Sequence, residues 1–474
     1  MALRAAYNTR AVTALDALAT TRMTRLPPAR QRALFRAVEA AEAAAALFHR
    51  HRAGLPARPH PIALTPFLVH RRLLPSLARL ADLVHRLQAH APRLWTDDVG
   101  GFRALCPVSE TSAAWIARDA TRGLAPWQLM IRPDVGLEAR APGVLAPVLY
   151  ETNATALAGL YNHAAGVRIL RAEVFPRIFT VREARALADP PDLLAQVVRW
   201  VETTARRLGR RRLDGVAFVE DPAPVDGYSE VPRLVAAFRA AGIRAEQGTV
   251  RDLRPGRRGV RLRGMPVDVV YRDLGLEDVG RPTSGKLGGF LDRFDAGAMV
   301  PGAAAEFGQK GLLEVLGRAE WARLFTPAER QFLRRVVPWT RVLGARASED
   351  ERGRRIDLLD YARRARTRLL IKPNVGSSGS GVLLGREAGA ARWEARINRA
   401  AREPGRWVLQ ARRPGTQRRM LYLRGGQAYA GPCYFSLGLF YAPGDLGLHC
   451  RVSREPVVNV ARQGAVACAF LVGR

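Results

Sequence analysis

The chain has 474 residues, enough for several domains, and 48% of them are hydrophobic, which excludes an intrinsically disordered protein. Its formal net charge is +32, but the arginines run along the whole chain without a nucleic-acid-binding signature, so we do not expect a nucleic-acid partner. Four cysteines in so long a chain exclude a disulfide framework. No apolar run approaches the roughly 20 residues of a membrane helix, and we expect a soluble, cytoplasmic protein.

The first 100 residues are predicted to be an N-terminal helical region broken by prolines. Its clearest helix is predicted from residue 29 to about residue 51, because small and apolar residues recur there at helical spacing: Leu34, Val38, Ala41 and Ala45. Six of the eight histidines lie between residues 49 and 90. No carboxylate or cysteine recurs beside them at ligand spacing, so the sequence favours packed or surface histidines over a metal site.

Two extended segments predict a β-hairpin, with strands at 127–134 and 144–153 and a turn between them. A turn centred on Pro142 and Gly143 places Asp134 opposite Glu151 and Arg132 opposite Asn153. Steps of two along each strand keep these four side chains on one face, with opposed Cβ atoms about 4.5–5.5 Å apart.

The two opposed carboxylates of this hairpin repel each other, which indicates a cation between them. Oxygen ligands of this kind suit Mg²⁺ shared with substrate phosphates. Pro133 and Pro147 also permit a register slip of one residue, which would separate the pairs. Two ordinary surface carboxylates are then the alternative.

Residues 186–300 predict a unit of alternating helices and strands. A helix over about 191–207 precedes a buried strand at 216–219. An amphipathic helix from residue 231, ended by Gly242, leads to an extended run from Ile243, and residues 267–271 supply a further strand. This is a βαβ pattern without a GxGxxG fingerprint, so no dinucleotide is expected.

Residues 300–360 are expected to be mostly helical, with a loop at 336–341. The chain has only three lysines, so 72 of its 75 basic residues are arginine. A lysine retained against this background indicates a position that needs a compact ammonium. Lys372 is the strongest case, whereas Lys310, at a predicted helix start, is compatible with either a ligand contact or a solvated side chain.

Lys372 precedes a small-residue loop between two apolar runs, and residues 369–385 predict strand, loop and strand. Glycines let backbone N–H groups approach an anion closely, and serines add hydroxyl donors. The order excludes a P-loop, whose lysine follows its glycines, and a glycine-rich hairpin that binds nothing is the alternative. The loop residues are Gly376, Ser377, Ser378, Gly379, Ser380 and Gly381.

These motifs resemble the ATP-grasp superfamily. A lysine on the strand before a Gly/Ser loop is similar to its nucleotide-covering hairpin, and Arg-x-Asp at 132–134 with Glu-x-Asn at 151–153 is similar to its pair of metal-binding strands. Most such enzymes have the metal strands after the lysine. Here they come first, as in the circularly permuted group that includes glutathionylspermidine-synthase-like proteins. Residues 154–160 match the family's small-residue loop only loosely, which leaves the substrate class open.

The resemblance implies an α/β (α+β) fold with an ATP-grasp domain in circularly permuted order. Residues 1–100 would be the N-terminal helical region, 101–185 the metal-binding strands, 186–300 a Rossmann-like domain and 301–474 the ATP-binding portion. It also implies Mg²⁺ on Asp134, Glu151 and Asn153. The ATP contacts that it implies are Lys310, Lys372, the loop 376–381, and a hinge strand that reads adenine at Gln410, Ala411 and Arg412.

The activity that the resemblance implies is ATP- and Mg²⁺-dependent ligation of a carboxylate to an amine through an acylphosphate. The partners would be small-molecule or peptide substrates. Arg132 would stabilise the transferring phosphoryl group, Lys372 would neutralise the phosphates, and Arg451 resembles the arginine of the family's closing Arg-x-Ser segment. The alternatives are a non-catalytic ATP-grasp nucleotide-binding protein and a basic nucleic-acid-binding protein.

Overall fold

The computed structural model of the chain describes residues 9–45, 48–49, 58–121, 123, 125–141, 144–221, 229–256, 259–282, 284–376, 379–413, 415–460 and 463–473. Helices and strands alternate through these ranges, which confirms the predicted mixed α/β composition. None of the helices in the described ranges combines the length and the apolar character needed to cross a bilayer.

The helices are α1 (Thr9–Thr24), α2 (Pro28–Ala44), α3 (Leu74–Thr96), α4 (Phe102–Leu105), α5 (Glu110–Ala120), α6 (Leu160–Ile169), α7 (Phe175–Ile178), α8 (Val181–Ala186), α9 (Leu193–Arg207), α10 (Val231–Ala240), α11 (Leu276–Val279), α12 (Ser284–Asp295), α13 (Leu312–Gly317), α14 (Pro327–Val336), α15 (Leu358–Arg364) and α16 (Ala390–Arg402).

The strands are β1 (Phe48–His49), β2 (Arg58–Pro59), β3 (Phe67–His70), β4 (Arg132–Ala141), β5 (Val144–Asn153), β6 (Gly215–Val219), β7 (Arg244–Gly248), β8 (Leu253–Gly256), β9 (Gly259–Leu262), β10 (Met265–Pro266), β11 (Val269–Arg272), β12 (Met299–Val300), β13 (Thr340–Val342), β14 (Ala347–Glu349), β15 (Arg355–Asp357), β16 (Leu369–Pro373), β17 (Leu383–Leu384), β18 (Trp407–Ala411), β19 (Gln417–Arg424), β20 (Gln427–Ala442), β21 (Asp445–Ser453), β22 (Gly464–Ala467) and β23 (Ala469–Val472).

A six-stranded antiparallel sheet joins distant parts of the chain. Its strands lie in the order β22-β21-β20-β4-β5, and β19 pairs with the first half of β20. Leu437 and Gly438 of β20 pair with β4, so the predicted hairpin and the C-terminal strands share one sheet. On one face of the hairpin, Val135, Leu137 and Leu149 are buried in the main hydrophobic core. The other face carries the polar residues of the candidate site.

A four-stranded antiparallel sheet has the strand order β13-β18-β16-β17. The antiparallel pair β16–β17 confirms the predicted strand, loop and strand. Ile371 and Leu409 pack with Trp393 and Ile397 of α16 on one face. Because successive side chains of a strand point to opposite faces, Lys372 lies on the other face, which is directed at the hairpin.

A third sheet is fully parallel and has the strand order β12-β11-β6-β7. The parallel pair β6–β7 flanks α10, which confirms the predicted βαβ unit. Helices α9 and α10 pack on one face and α12 on the other, so both faces are buried and the central strands are almost wholly apolar. The strand predicted at 267–271 begins later, at Val269.

The N-terminal helix α2 ends at Ala44, so the prediction that it continues to about residue 51 is wrong. Residues 48–49 pair with β2 instead. Leu34 and Val38 are fully buried, which confirms the predicted apolar face. The N-terminal region is tied to the other end of the chain, because β3 pairs in parallel with β23.

Two other predicted segments differ from the structure. Residues 126–128 form a single 3₁₀ turn, and strand β4 begins only at Arg132. The expected loop at 336–341 instead leads into β13, which pairs with β18, and residues 340–357 carry three short strands rather than helix. Apolar content alone does not distinguish a turn from a strand, because a strand also needs a neighbouring strand with which to pair.

Helix α13, which follows Lys310, is fixed to the four-stranded sheet by the fully buried Glu314. This carboxylate accepts the N–H of Val342 at 2.6 Å, and Arg346 Nη2 lies 2.7 Å from its Oε2. Arg318 donates to its Oε1 at 2.9 Å. Because a buried charge is tolerated only when it is paired and hydrogen-bonded, Glu314 holds the segment after Lys310 in place beside β13.

Replacement of Glu314 by glutamine should lower the free energy of unfolding by about 3 kcal/mol, because two arginines lose a buried anionic partner. The matched control is Glu110→Gln, whose carboxylate pairs with Arg281 at 2.5 Å on the surface, with the two side chains 87% and 63% exposed. That change should stay within about 0.5 kcal/mol. Urea unfolding of both variants measures the difference, and equal losses would contradict the role assigned to Glu314.

Candidate functional site

The predicted pairing of the hairpin is confirmed at the end that lies farther from the turn. Asp134 pairs with Glu151 and Arg132 pairs with Asn153, so the alternative register slip is wrong at these pairs. The predicted turn residues, Pro142 and Gly143, lie outside the described residues. Between turn and site the ladder has two register shifts, one between Ala139 and Ala141 and one between Asp134 and Val135. The second shift cancels the first, which is why a count from the turn gives the correct pairs.

Asp134 is the most enclosed carboxylate of the site, with 1% of its surface exposed. Arg451 Nη2 donates to its Oδ2 at 2.6 Å, Arg132 Nε donates to its Oδ1 at 3.2 Å, and Asn153 Nδ2 donates to its Oδ2 at 3.1 Å. Burial disfavours the charged form, but the two arginines outweigh that cost and hold the pKa of Asp134 below its ordinary value. Asp134 is therefore a carboxylate at neutral pH.

The two arginines on Asp134 are held from different sides. Arg132 Nη1 also donates to the carbonyl of Ala158 at 2.6 Å, and its guanidinium lies 5.8 Å from the centre of the Phe440 ring. Its stem crosses Gly438, where a Cβ would lie 3.0 Å from Arg132 Cδ. Burial lowers the pKa of Arg451. The attraction of Asp134 and Glu151 outweighs this effect and raises that pKa above its ordinary value. The guanidinium of Arg451 thus remains charged inside the cleft.

Lys372 crosses from the four-stranded sheet to the hairpin. Its Nζ donates to the backbone carbonyl of Tyr150 at 2.6 Å, and 6% of the residue is exposed. Burial lowers the pKa of Lys372 to about 7, and the attraction of Glu151 offsets only part of that effect. An ammonium in this position is held at the edge of deprotonation and gains from any further negative charge.

Lys310 connects the glycine loop with the hairpin. Its Nζ donates to the carbonyl of Gly376 at 2.9 Å and lies 3.4 Å from Oε2 of Glu151. Lys310 is 6% exposed, so the structure removes the alternative of a solvated side chain. Lys310 and Lys372 therefore meet the hairpin at two consecutive residues, Tyr150 and Glu151.

Asn374 fixes the two lysines relative to each other and was not predicted from the sequence. Its Oδ1 accepts the N–H of Gly311 at 2.7 Å, and its carbonyl accepts the N–H of Lys310 at 3.0 Å. Its Nδ2 donates to the carbonyls of Leu105 and Gly405 at 3.0 and 2.8 Å. The sequence shows only an amide side chain two residues after Lys372. An amide at this position is equally compatible with a solvated loop.

The described glycines of the loop have the backbone freedom that its sequence indicates. Gly376, Gly379 and Gly381 have φ values of +139°, +66° and +75°, which side chains rarely tolerate. Gly376 and Ser380 are exposed. Ser377 and Ser378 lie outside the described residues.

Strand β18, where the adenine hinge is predicted, presents fewer free hydrogen-bonding groups than expected. The side chain of Gln410 donates to Thr340 Oγ1 at 3.0 Å, the N–H of Ala411 donates to Trp339 at 2.8 Å, and the N–H of Arg412 donates to Arg368 at 2.8 Å. These donors are used within the fold. The register of β16 with β18 nevertheless puts Gln410 on the same face as Lys372, so the strand borders the cleft.

Mg²⁺ takes oxygen ligands at octahedral positions. Within the described ranges no group of three His, Cys, Asp or Glu side chains could hold a metal ion. Two carboxylates and one amide meet here instead. The side chain of Glu151 is 27% exposed, against 2% for Asp134, and Asn153 uses its nitrogen on Asp134, which leaves its carbonyl oxygen as the ligand atom. Glu151 and Asn153 fit Mg²⁺ directly, whereas Asp134 fits only if Arg451 leaves its Oδ2.

The chain matches no protein-family model and no curated protein by sequence. Among solved structures it is similar to a glutathione synthetase-like effector, GSS30, from Globodera pallida in the apo form. The TM-score is 0.61 over 93% of this chain and 97% of that one, at 12% sequence identity. At this identity the likeness concerns the fold alone, and the chain shares the overall mixed α/β fold of a glutathione synthetase-like protein.

Proposed function

We propose that the protein is an ATP- and Mg²⁺-dependent ligase that joins a carboxylate to an amine through an acylphosphate. The observation that carries the proposal is the meeting of two antiparallel sheets at one charged cleft. Lys372 of one sheet reaches the hairpin of the other, where Arg132, Arg451 and Glu151 surround Asp134. Opposed sheets with cations on both sides suit a polyphosphate held between them.

The fold supports this proposal at a coarser level. The structural neighbour is a glutathione synthetase-like effector, and the similarity extends over 93% of this chain. In this proposal the fold is an ATP-grasp domain in circularly permuted order, because the hairpin precedes the lysine strand in sequence but contacts it in space. The parallel sheet β12-β11-β6-β7 would be the Rossmann-like domain.

Each residue of the cleft has a role that its contacts suggest. Lys372 and Lys310 would neutralise the phosphates, and the glycine loop at residues 376–381 would close over them. Glu151 and Asn153 would hold Mg²⁺, whose charge lowers the repulsion between phosphate oxygens when it is bound. Arg451 and Arg132 would stabilise charge on the transferring phosphoryl group. If Arg451 turned from Asp134 to the phosphate, Asp134 would be available as a third metal ligand.

The adenine contact is proposed at the C-terminal end of β18. Because the N–H groups of Ala411 and Arg412 are engaged, the carbonyl oxygens of this segment would accept the exocyclic amino group of the base. Positioning of this kind requires no covalent nucleophile in the protein, since catalysis by orientation and charge stabilisation suffices for phosphoryl transfer.

The test of the proposal is ADP release in a screen of carboxylate and amine pairs, including peptides. Release that requires ATP, Mg²⁺ and both substrates supports the ligase. Mg²⁺-dependent ATP binding without turnover for any pair would favour a non-catalytic nucleotide-binding protein. Absence of ATP binding would overturn both.

Lys372→Met should weaken Mg²⁺–ATP binding roughly tenfold to a hundredfold, because a charged hydrogen bond contributes about 1.5–3 kcal/mol. The matched control is Lys286→Met on α12, which should bind ATP like the parent. Isothermal titration calorimetry measures both affinities. Equal affinity of the Lys372 variant and the parent would remove this lysine from the proposed site.

The affinity should also depend on pH. The folded-state pKa of Lys372 is about 7 and its ordinary value is 10.5, so the unfolded chain binds the extra proton between these values. This group therefore makes the free energy of unfolding of the ligand-free protein rise from pH 7 to 10.5 and has no such effect below pH 7.

ATP favours the ammonium form of Lys372, so ATP binding at pH 8 should be accompanied by uptake of a proton in the parent protein but not in Lys372→Met. Calorimetry in two buffers of different ionisation enthalpy measures that proton, and equal uptake by both proteins would contradict the assignment.

Glu151→Gln should abolish Mg²⁺-dependent turnover and most of the stabilisation by Mg²⁺–ATP. A ligand at 100 times its Kd stabilises the native state by about 2.7 kcal/mol, and loss of a metal ligand removes much of that gain. The matched control is Glu138→Gln on the same face of β4, where the carboxylate pairs with Arg140 at 2.9 Å. Thermal unfolding with and without Mg²⁺–ATP compares the three proteins, and an undiminished shift for the Glu151 variant would mean that Glu151 does not bind the metal.

A further inference from the structure

The register shift nearest the site inserts one extra residue into β5. Asp134 pairs with Glu151 and Val135 pairs with Leu149, so Tyr150 between them has no partner on β4. An insertion of this kind is a β-bulge, which bends a strand and redirects its side chains and carbonyls. Without it, the register between residues 135 and 139 would continue and would place Tyr150, not Glu151, opposite Asp134.

The bulge brings two consecutive side chains to the cleft face. Glu151 lies on this face because it pairs directly with Asp134. The phenol of Tyr150 lies over Gly136, where a Cβ would be 2.0 Å from Tyr150 Oη and 2.5 Å from Cζ. Gly136 follows Asp134 by two residues and therefore shares its face. The Tyr150 ring thus occupies the space that any other residue at position 136 would fill.

The backbone of the same residue meets the lysine of the other sheet. The carbonyl of Tyr150, outside the β4–β5 ladder, accepts the Lys372 ammonium at 2.6 Å. From these contacts we infer that Tyr150 and Gly136 form a positioning element, in which the ring seated over Gly136 fixes the bulge, and the bulge places Lys372 and Glu151 side by side at the phosphates. The role of this element in ATP binding rests on the proposed function, but its hold on Lys372 does not.

Three features favour a positioning role over simple packing. The Tyr150 ring fills the space beside Gly136, which is available only because glycine has no side chain. The bulge corrects the earlier shift at residues 139–141 immediately before the paired carboxylate, so Glu151 and Asn153 depend on it for their face. The lysine is anchored on a main-chain oxygen, so its position follows the backbone of β5 rather than a movable side chain.

The test uses the full chain labelled with [ε-¹³C]lysine, which gives three signals because the chain has three lysines. Lysine-to-methionine variants assign them. Gly136→Ala displaces the Tyr150 ring and should move the Lys372 signal in the ligand-free protein while the Lys286 signal stays unchanged. The same change should raise the Kd for Mg²⁺–ATP about tenfold, the equivalent of one charged hydrogen bond.

The matched control is Gly431→Ala in the same sheet. A Cβ there would lie 2.8 Å from Tyr429 Oη, so it also places a methyl group against a tyrosine phenol, but away from Lys372. It should leave the Lys372 signal in place. In a Tyr150→Ala background the phenol is gone, and Gly136→Ala should add no further change to the signal or to the affinity.

A folded Gly136→Ala protein with the parental Lys372 signal would overturn the inference, and so would effects of Gly136→Ala and Tyr150→Ala that simply add. If Gly136→Ala does not fold, Tyr150→Leu serves instead, since loss of the phenol should shift the same signal. A shifted Lys372 signal in a protein whose parent does not bind ATP would support the positioning element and reject the proposed function, so the two failures are distinguishable.

Discussion

The cleft depends on one hydrogen bond between two sheets, from the ammonium of Lys372 to the carbonyl of Tyr150. Each partner is fixed by its own sheet, one by the ladder of β16 with β18 and the other by the bulge in β5. A buried ammonium is costly unless it is paired, so the two sheets are held at the distance that this contact requires. The other charged groups of the cleft, apart from Lys310, lie on the six-stranded sheet, where strand pairing arranges them.

The cleft contains more positively than negatively charged side chains. Two arginines and two lysines, Arg132, Arg451, Lys310 and Lys372, face two carboxylates, Asp134 and Glu151. The carboxylates keep the cations oriented, and the surplus of positive charge remains for an anionic ligand. This local surplus differs from the chain's overall charge of +32. Most of that charge comes from arginines distributed along the chain, and it does not by itself define a binding site.

How much the sequence could predict varies with the kind of constraint. The pairing of Asp134 with Glu151 could be counted from the turn, but only because two bulges cancel, and neither bulge has a sequence signal that a count would detect. The scarcity of lysine drew attention to three residues, of which Lys310 and Lys372 meet the hairpin, although the sequence left the role of Lys310 open. Asn374 could not be predicted, because its hydrogen bonds join segments distant in sequence. The hydrogen bonds of the backbone N–H groups at residues 411 and 412 could not be predicted either, because their acceptors lie at residues 339 and 368.

A buried carboxylate links helix α10, which packs on the parallel sheet, to one end of this cleft. Glu230, at the start of α10, accepts the backbone N–H groups at residues 159–162 at 2.8 to 3.1 Å. Those amides begin α6, where a negative charge is favoured by the unpaired donors and the helix dipole. The segment between Asn153 and α6 also supplies the carbonyl that holds Arg132. Movement of α10 would therefore reach Arg132 through one short loop.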